Sequence, residues 1–400
     1  MKKPIIAIST GDPNGVGYEI TIKTLANPHI LEICTPVVFG NLRFWKEYKK
    51  CINEDIQQLH IQSDTPLRAT GGEPVVISDV KAIKEGQINF INVYDDNVPF
   101  KPGESLPESG RAAYLSLSKA CDALESGAAD ALLTAPINKE NIQSDSFRFT
   151  GHTEYLTSRF AGGNDSLMMM VSEQMKVALV CNHVPLSKVA SEVTEEHILK
   201  KLRVLSSTLT SDFLLRSPRI AVLALNPHAG DKGLLGDEEQ TIITPAIQKA
   251  QAEGIEAYGP YTADGFFGSG SYTRFDAILA MYHDQGLIPF KSLDMSGVNY
   301  TAGLPIVRTS PDHGTAYDLA GKGTASADSM RNALYLAIDV LKRRAITKEI
   351  NTSPLPIKEQ QPERREPKEF KGFNPAEARR EREERQAAAL AAARGENAAQ

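Results

Sequence analysis

Short apolar runs recur along the chain, each bounded by glycine, proline or polar turn residues: KPIIAIS, TPVVFG, EPVVIS, ADALLTAP, KVALVCNH, RIAVLALNP and FDAILAMYH. Apolar runs of roughly four to eight positions between turn signals predict strands buried on both faces. Between them lie YEITIKTLA, SGRAAYLSLSKACDALESG, TEEHILKKLRVLSSTLTSDFL and TIITPAIQKAQAEG, which have helical spacing. Strands alternating with helices predict an α/β protein whose largely parallel sheet is covered by crossover helices. No fixed-period repeat is evident. Four runs lead into polar segments, TAPINKE, CNHVPL, LNPHAG and MYHDQG. Ligands of open α/β sheets bind beyond the carboxyl ends of strands, so these four ends are expected to point toward one cleft.

The first strand runs through AISTGDPNGVGYEI, residues 7–20, into a helix. Gly11, Gly15 and Gly17 lack the dinucleotide spacing G-x-G-x-x-G, and no Lys-Ser/Thr pair follows. The loop therefore either offers helix-start N–H groups to an anion or uses its glycines for a tight turn.

Beyond about residue 350 the pattern is lost. Residues 358–400 are dense in charge and alanine and nearly lack large apolar groups, too few to offset the entropy of ordering. A charged low-complexity tail over 353–400, disordered or an isolated helix around NPAEARREREERQAAALAAARG, is expected. A partner-binding segment is the functional alternative.

A chain of 400 residues with 41% hydrophobic content has room for two domains. Its net charge of −6 argues against nucleic acid or an anionic membrane as the main partner. No apolar run approaches the roughly 20 residues of a membrane span, and MKKPIIAIST enters a strand without a signal-peptide core. A soluble, cytoplasmic protein is expected. Cys34, Cys51, Cys121 and Cys181 are scattered without C-x-x-C pairing, which fits reduced thiols. Cys181, two residues before His183, reads first as a small buried residue and second as a metal neighbour.

Three histidines follow apolar runs: His183 in ALVCNHVPL, His228 in LALNPHAG and His283 in ILAMYHDQG. Imidazoles suit zinc and similar divalent ions, and three protein ligands leave a position open for substrate or water. Each histidine alone could equally be a satisfied polar group of the core. In GHTEYL, His152 and Thr153 stand at a helix start, where they could receive an anion or where Thr150 or Thr153 could cap the first turn. Lys291, Asn299 and Arg308 bring two cations and an amide into one region, suited to phosphate or carboxylate or simply to the surface.

The block RTSPDHGTAYDLAGKG, beginning at Arg308, sharpens this picture. DHGTAYDLAGKG resembles the adenosine-binding loop of the isocitrate and isopropylmalate dehydrogenase superfamily, and TGDPNGVGYEI is similar to its N-terminal loop. Together with TAPINKE, FTGHTEYL, NPHAGDKGLLGDEE, GPYTADGFF, MYHDQGLIPFK and GLPIVRTSPDHGTAYDLAG, they resemble, over roughly residues 3–345, the 4-hydroxythreonine-4-phosphate dehydrogenase family of pyridoxal phosphate biosynthesis. The resemblance implies two open α/β/α domains with a cleft between them. Residues 1–136 with 304–352 would carry the cofactor-adenosine loop, and 137–303 the metal and substrate residues and the dimer interface.

By the same resemblance, His183, His228 and His283 are ligands of a divalent ion (Zn, Mg, Co or Mn) at the interface of a homodimer. His183 and His228 are expected from one subunit and His283 from the other. His152, Thr153, Lys291, Asn299 and Arg308 match substrate-binding positions, and Asp264 and Lys291 are the implied catalytic pair. Gly11, Asp312, His313, Gly314, Thr315, Ala316 and Asp318 border the cofactor, with Asp318 implying NAD over NADP because a carboxylate repels a 2′-phosphate. The implied reaction oxidises 4-phosphooxy-L-threonine, a small phosphorylated hydroxy amino acid, to a β-keto acid that decarboxylates to 3-amino-2-oxopropyl phosphate. Alternatives are a 4-phosphoerythronate or 4-phosphothreonate dehydrogenase of the same family, a phosphate acyltransferase of related fold, and a non-catalytic binding protein.

Overall fold

The computed structural model describes residues 3–61, 73–163, 165–352 and 379–387. Its strands are β1 (Ile5–Ser9), β2 (Thr35–Gly40), β3 (Val75–Val76), β4 (Asn89–Asn92), β5 (Ala131–Thr134), β6 (Leu167–Val171), β7 (Lys176–Cys181), β8 (Ile220–Leu223), β9 (Ala257–Tyr261), β10 (Ala277–Tyr282), β11 (Val298–Ala302) and β12 (Val307–Pro311). They form one sheet in the order β3-β4-β2-β1-β5-β12-β11-β6-β7-β10-β8-β9. The fold is α/β, as the alternation of runs predicts.

Two parallel sets make up the sheet. One holds β3, β4, β2, β1, β5 and β12, and the other β7, β10, β8 and β9. Between them, β11 pairs antiparallel with β12 and β6, and β6 antiparallel with β7. Parallel strands covered on both faces read as unbroken apolar runs: β2 is buried at every position and β7 at all but Lys176. Three reversals turn β7 against β5, which corrects the picture of four strand ends pointing the same way. β7, β10 and β8 end on a shared edge, while β5 points the other way and contributes through the loop that follows it.

Register decides what stands at that edge. Tyr282 of β10 lies beside Cys181 of β7, so His183 and His283 follow neighbouring strand ends. His283 opens the helix His283–Leu293. A Cβ on Gly286 of that helix would stand 2.7 Å from Val177 Cγ1 and 2.9 Å from Leu179 Cδ2, so only glycine lets the helix press this closely onto β7. Cys34, Cys121 and Cys181 are buried and all four cysteines are free thiols. No helix among the described residues is long and apolar enough to cross a membrane.

Met1–Thr352 form one compact unit and Ser353–Gln400 a second. Of the second, the described residues 379–387 are helical and exposed; the rest of the expected tail lies outside the described residues. The last helix of the first unit, Asp328–Thr352, is anchored by Arg344, which donates to both oxygens of buried Asp212 at 2.8 and 3.0 Å. A groove of about 350 Å³ beside that pair is lined by Ser207, Ser211, Thr347 and Asn351 and by none of the candidate site residues. A chain ending at Thr352 keeps this anchor. It is expected to retain wild-type kcat and Tm, and a large loss of turnover in a folded truncation would place the tail in the site.

Candidate active site

Arg308 of β12 heads the fully buried side chains, 1% exposed. Its Nε and Nη2 donate to Thr134 Oγ1 at 3.1 and 2.7 Å, and Nη1 donates to Thr301 Oγ1 at 2.9 Å. Those bonds use three of the five guanidinium N–H groups. No carboxylate among the described residues forms an ion pair with it. Burial pushes the guanidinium down to about 10, with the Glu154 charge opposing, so it stays charged at neutral pH. A buried, unpaired cation is costly to a fold, and its presence marks a place prepared for an anion.

The helix His152–Phe160 starts at Gly151 without a side-chain cap, so capping by Thr150 or Thr153 is not the role of this segment. Its first N–H groups remain available to a ligand. Thr153 is buried. The His152 residue is half-buried, but its Nε2 is inaccessible and without a hydrogen-bond partner. Burial first, then the charges of Arg308 and Lys139, hold this imidazole well below its usual 6.5. Asn299 of β11 likewise has a buried Oδ1 with no partner.

The His183 and His283 rings meet with centroids 6.0 Å apart. His183 Nε2 lies 3.1 Å from Lys139 Nζ, and its Nδ1 faces Glu154 Oε1 at 3.6 Å. Close by in sequence, Lys291 Nζ sits 3.1 Å from both the carbonyl oxygen and Oδ1 of Asp312. Burial raises the Asp312 carboxyl, against the opposing charges of Lys291, His313 and His283. His228 is exposed and opens a run of left-handed residues from His228 to Lys232. The strand end leading into that run is held by buried Glu239, whose Oε1 accepts from the Leu225 and Asn226 N–H groups at 2.8 and 2.7 Å. Among the described residues no group of three His, Cys, Asp or Glu side chains is arranged to hold a metal ion. One chain therefore brings together His183 and His283, whereas the resemblance implied His183 with His228. The pair fits a divalent ion in its donor chemistry, and His183 Nε2 already faces a cation in Lys139.

The glycine loop packs against the segment expected to receive adenosine. Asp12 is fully buried, and its Oδ2 accepts from Ser109 Oγ, Asn141 Nδ2 and Tyr317 OH at 3.1, 2.7 and 2.8 Å. Val16 N–H donates to Thr315 O at 2.9 Å. Gly11 has φ +66°, and a Cβ there would meet Pro136 O at 2.1 Å. The glycines thus serve close loop packing, the second of the two readings of this stretch. Ala316 takes a left-handed φ of 42°, which costs a residue with a Cβ and clusters at functional loops. His313 Nε2 is buried without a partner, and Gly314 is exposed with open space around it. An approachable backbone beside an orphan imidazole fits a nucleotide.

The model of the pyridoxal phosphate biosynthetic protein PdxA matches residues 32–337. The chain belongs to the PdxA family. Within it, a 4-hydroxythreonine-4-phosphate dehydrogenase of Bacteroides thetaiotaomicron is 48% identical over 351 residues, 88% of this chain and 92% of that one. A relative from Oceanobacillus iheyensis, named for D-threonate 4-phosphate dehydrogenase, is 38% identical over 85% of this chain and 98% of its own length. Among solved structures, a 4-hydroxythreonine-4-phosphate dehydrogenase from Klebsiella pneumoniae superposes with a TM-score of 0.68 at 34% identity, covering 85% of this chain and all of the other (100%).

In this PdxA-family chain the expected residues fall into separate sets. His152 and Arg308 share electrostatic surroundings with Lys139 and Glu154, and Lys291 joins Asp312 near His283 and His313. Asp318 is exposed on the loop that also carries Tyr317. His228 and Asp264, both exposed, follow the adjacent strands β8 and β9 and make no hydrogen bond or ion pair with the other site residues among those described. Sequence reading passed over Asp12, Thr134, Lys139 and Glu154, although each lies in a motif singled out above. Their polarity inside GDPNG, TAPINKE and GHTEYL was the available signal; Thr301 had none.

The depressed His152 has a consequence for stability. Its folded value lies below its unfolded one, so the unfolded chain binds the extra proton and stability falls as pH drops below about 6.5, by at most about 1.4 kcal/mol per pH unit. In the presence of chelator, urea midpoints at pH 7.5 and 5.5 should differ less for His152→Gln than for wild type. An equal difference would mean that His152 is not held neutral.

Proposed function

We propose that this chain oxidises the secondary hydroxyl of 4-phosphooxy-L-threonine with NAD, giving a β-keto acid that loses carbon dioxide to form 3-amino-2-oxopropyl phosphate. The observation that carries this reading is buried Arg308, with unused donors and no carboxylate partner, in a PdxA-family chain whose His183 and His283 rings meet. Arg308, the uncapped helix start at His152 and Thr153, and Asn299 hold the charged ends of the substrate. A divalent ion bound by the histidines would supply Lewis acidity to the oxygen of the hydroxyl whose carbon is oxidised, and NAD would accept the hydride.

The Lys291–Asp312 pair is the place for the proton. The hydroxyl loses one on becoming a carbonyl, and the product carbon gains one when carbon dioxide leaves. Asp312 also begins the segment 312–316 that borders NAD, so the same residue links proton transfer to the cofactor. Residues 1–136 with 304–352 form the cofactor half and 137–303 the metal half in this reading.

The site is completed by a second copy of the chain. His228 and Asp264 of the partner subunit would join His183 and His283. Each histidine is followed by exposed apolar residues that a partner would cover: Leu186 at 74%, Leu234 at 78% and Ile288 at 64% exposure.

Formation of the reduced nicotinamide by the full-length protein should be compared across 4-phosphooxy-L-threonine, D-threonate 4-phosphate and 4-phospho-D-erythronate, each with NAD and with NADP. The highest kcat/KM is expected for 4-phosphooxy-L-threonine with NAD. Preference for either acid lacking the amine would support the activity named for the Oceanobacillus relative instead, and equal use of NADP would remove the role given to Asp318.

A further inference from the structure

Lys139 of TAPINKE and Glu154 of GHTEYL have no role in the reaction proposed above, yet both converge on His183. Lys139 Nζ lies 3.1 Å from His183 Nε2. An ammonium carries only donors, so Nε2 must be the acceptor and the proton of the neutral ring must sit on Nδ1. That nitrogen faces Glu154 Oε1 at 3.6 Å, the side on which a carboxylate favours N–H. The two neighbours thus select one tautomer from opposite sides and turn the Nε2 lone pair outward. Both side chains lie over the same helix start, with the Cβ position of Gly151 3.4 Å from Glu154 Oε2 and 3.6 Å from Lys139 Cε.

We propose that Lys139 and Glu154 are positioning residues that set the metal affinity of His183 in opposite directions. Glu154 strengthens the ligand by fixing its tautomer and ring orientation. Lys139 weakens it, because its ammonium and the divalent ion compete for one lone pair. A built-in competitor makes the ion exchangeable. The inference rests on the metal reading above and concerns affinity, not turnover.

Zn²⁺ titration calorimetry on the full-length protein, with Co²⁺ absorption as a second readout, tests it. Lys139→Met removes the competing hydrogen bond, on the order of 1 kcal/mol, and is expected to tighten Zn²⁺ binding about fivefold. Glu154→Gln is expected to weaken it roughly 10-fold or more. A general structural disturbance would weaken binding in both, so opposite signs are the signature. Lys139→Met that binds Zn²⁺ no tighter than wild type, or Glu154→Gln that binds it as well as wild type, would overturn the proposal. Failure of the wild-type protein to bind Zn²⁺ or Co²⁺ would instead overturn the metal reading on which it rests.

Discussion

Mixed dimers of His183→Ala and His228→Ala chains are expected to recover about a quarter of wild-type activity, although each variant alone is nearly inactive. The expectation follows from the ring contact. The His183 and His283 ring centroids lie 6.0 Å apart in one chain, and in the function proposed above the third imidazole of each site would be His228 of the partner subunit. In a heterodimer of these two variants, one site collects both lesions and the other collects none. Random pairing makes about half of all dimers heterodimers, and half of their sites are intact. Mixing His183→Ala with His283→Ala should recover almost nothing, because those lesions always fall in different sites. Bound metal should follow activity, since loss of one of three imidazoles weakens binding sharply. Recovery in the second mixture and not the first would restore the division that the family resemblance first implied.

Replacing Arg308 by methionine should lower kcat/KM about 10²- to 10³-fold while leaving Tm unchanged or raised. Losing a buried charged donor to an anionic substrate costs roughly 3–4 kcal/mol. The free enzyme loses nothing comparable, because Arg308 is a buried cation that forms no ion pair among the described residues and is offset only by the nearby Glu154 charge. Removing it eases the fold, the usual opposition between stability and a prepared site. Arg308→Lys keeps the charge but not the fork that spans Thr134 and Thr301, and should restore only a small part of the activity. Thermal melts and Michaelis–Menten analysis of both variants check this; a methionine variant of near wild-type kcat/KM would remove Arg308 from the substrate site.

Legibility of the chain in its sequence follows burial. β1, β2, β5, β7, β8 and β10 are covered on both faces and read as apolar runs. NFIN of β4 and AYGPY of β9 are short and carry polar or proline residues, and VRTSP of β12 contains the buried arginine. Such strands exist because neighbours supply their pairing, which no local pattern reports. The antiparallel join through β6 and β11 was invisible for the same reason. So was the approach of His183 to His283, since β7 and β10 are neighbours only in the folded sheet. Lys139 reaches His183 across 44 positions, and Asp12 reaches Tyr317 across 305. The histidines themselves and Arg308 were legible, because the motifs around them are long.

A metal-dependent oxidation coupled to loss of carbon dioxide releases one NADH with each carbon dioxide. Its most direct test follows NADH and carbon dioxide together, using full-length protein, 4-phosphooxy-L-threonine and NAD, with and without chelator. Equal amounts of the two products are expected, abolished by chelator and restored by an added divalent ion. NADH formation that persists in chelator, or no NADH from this substrate with any divalent ion, would contradict it.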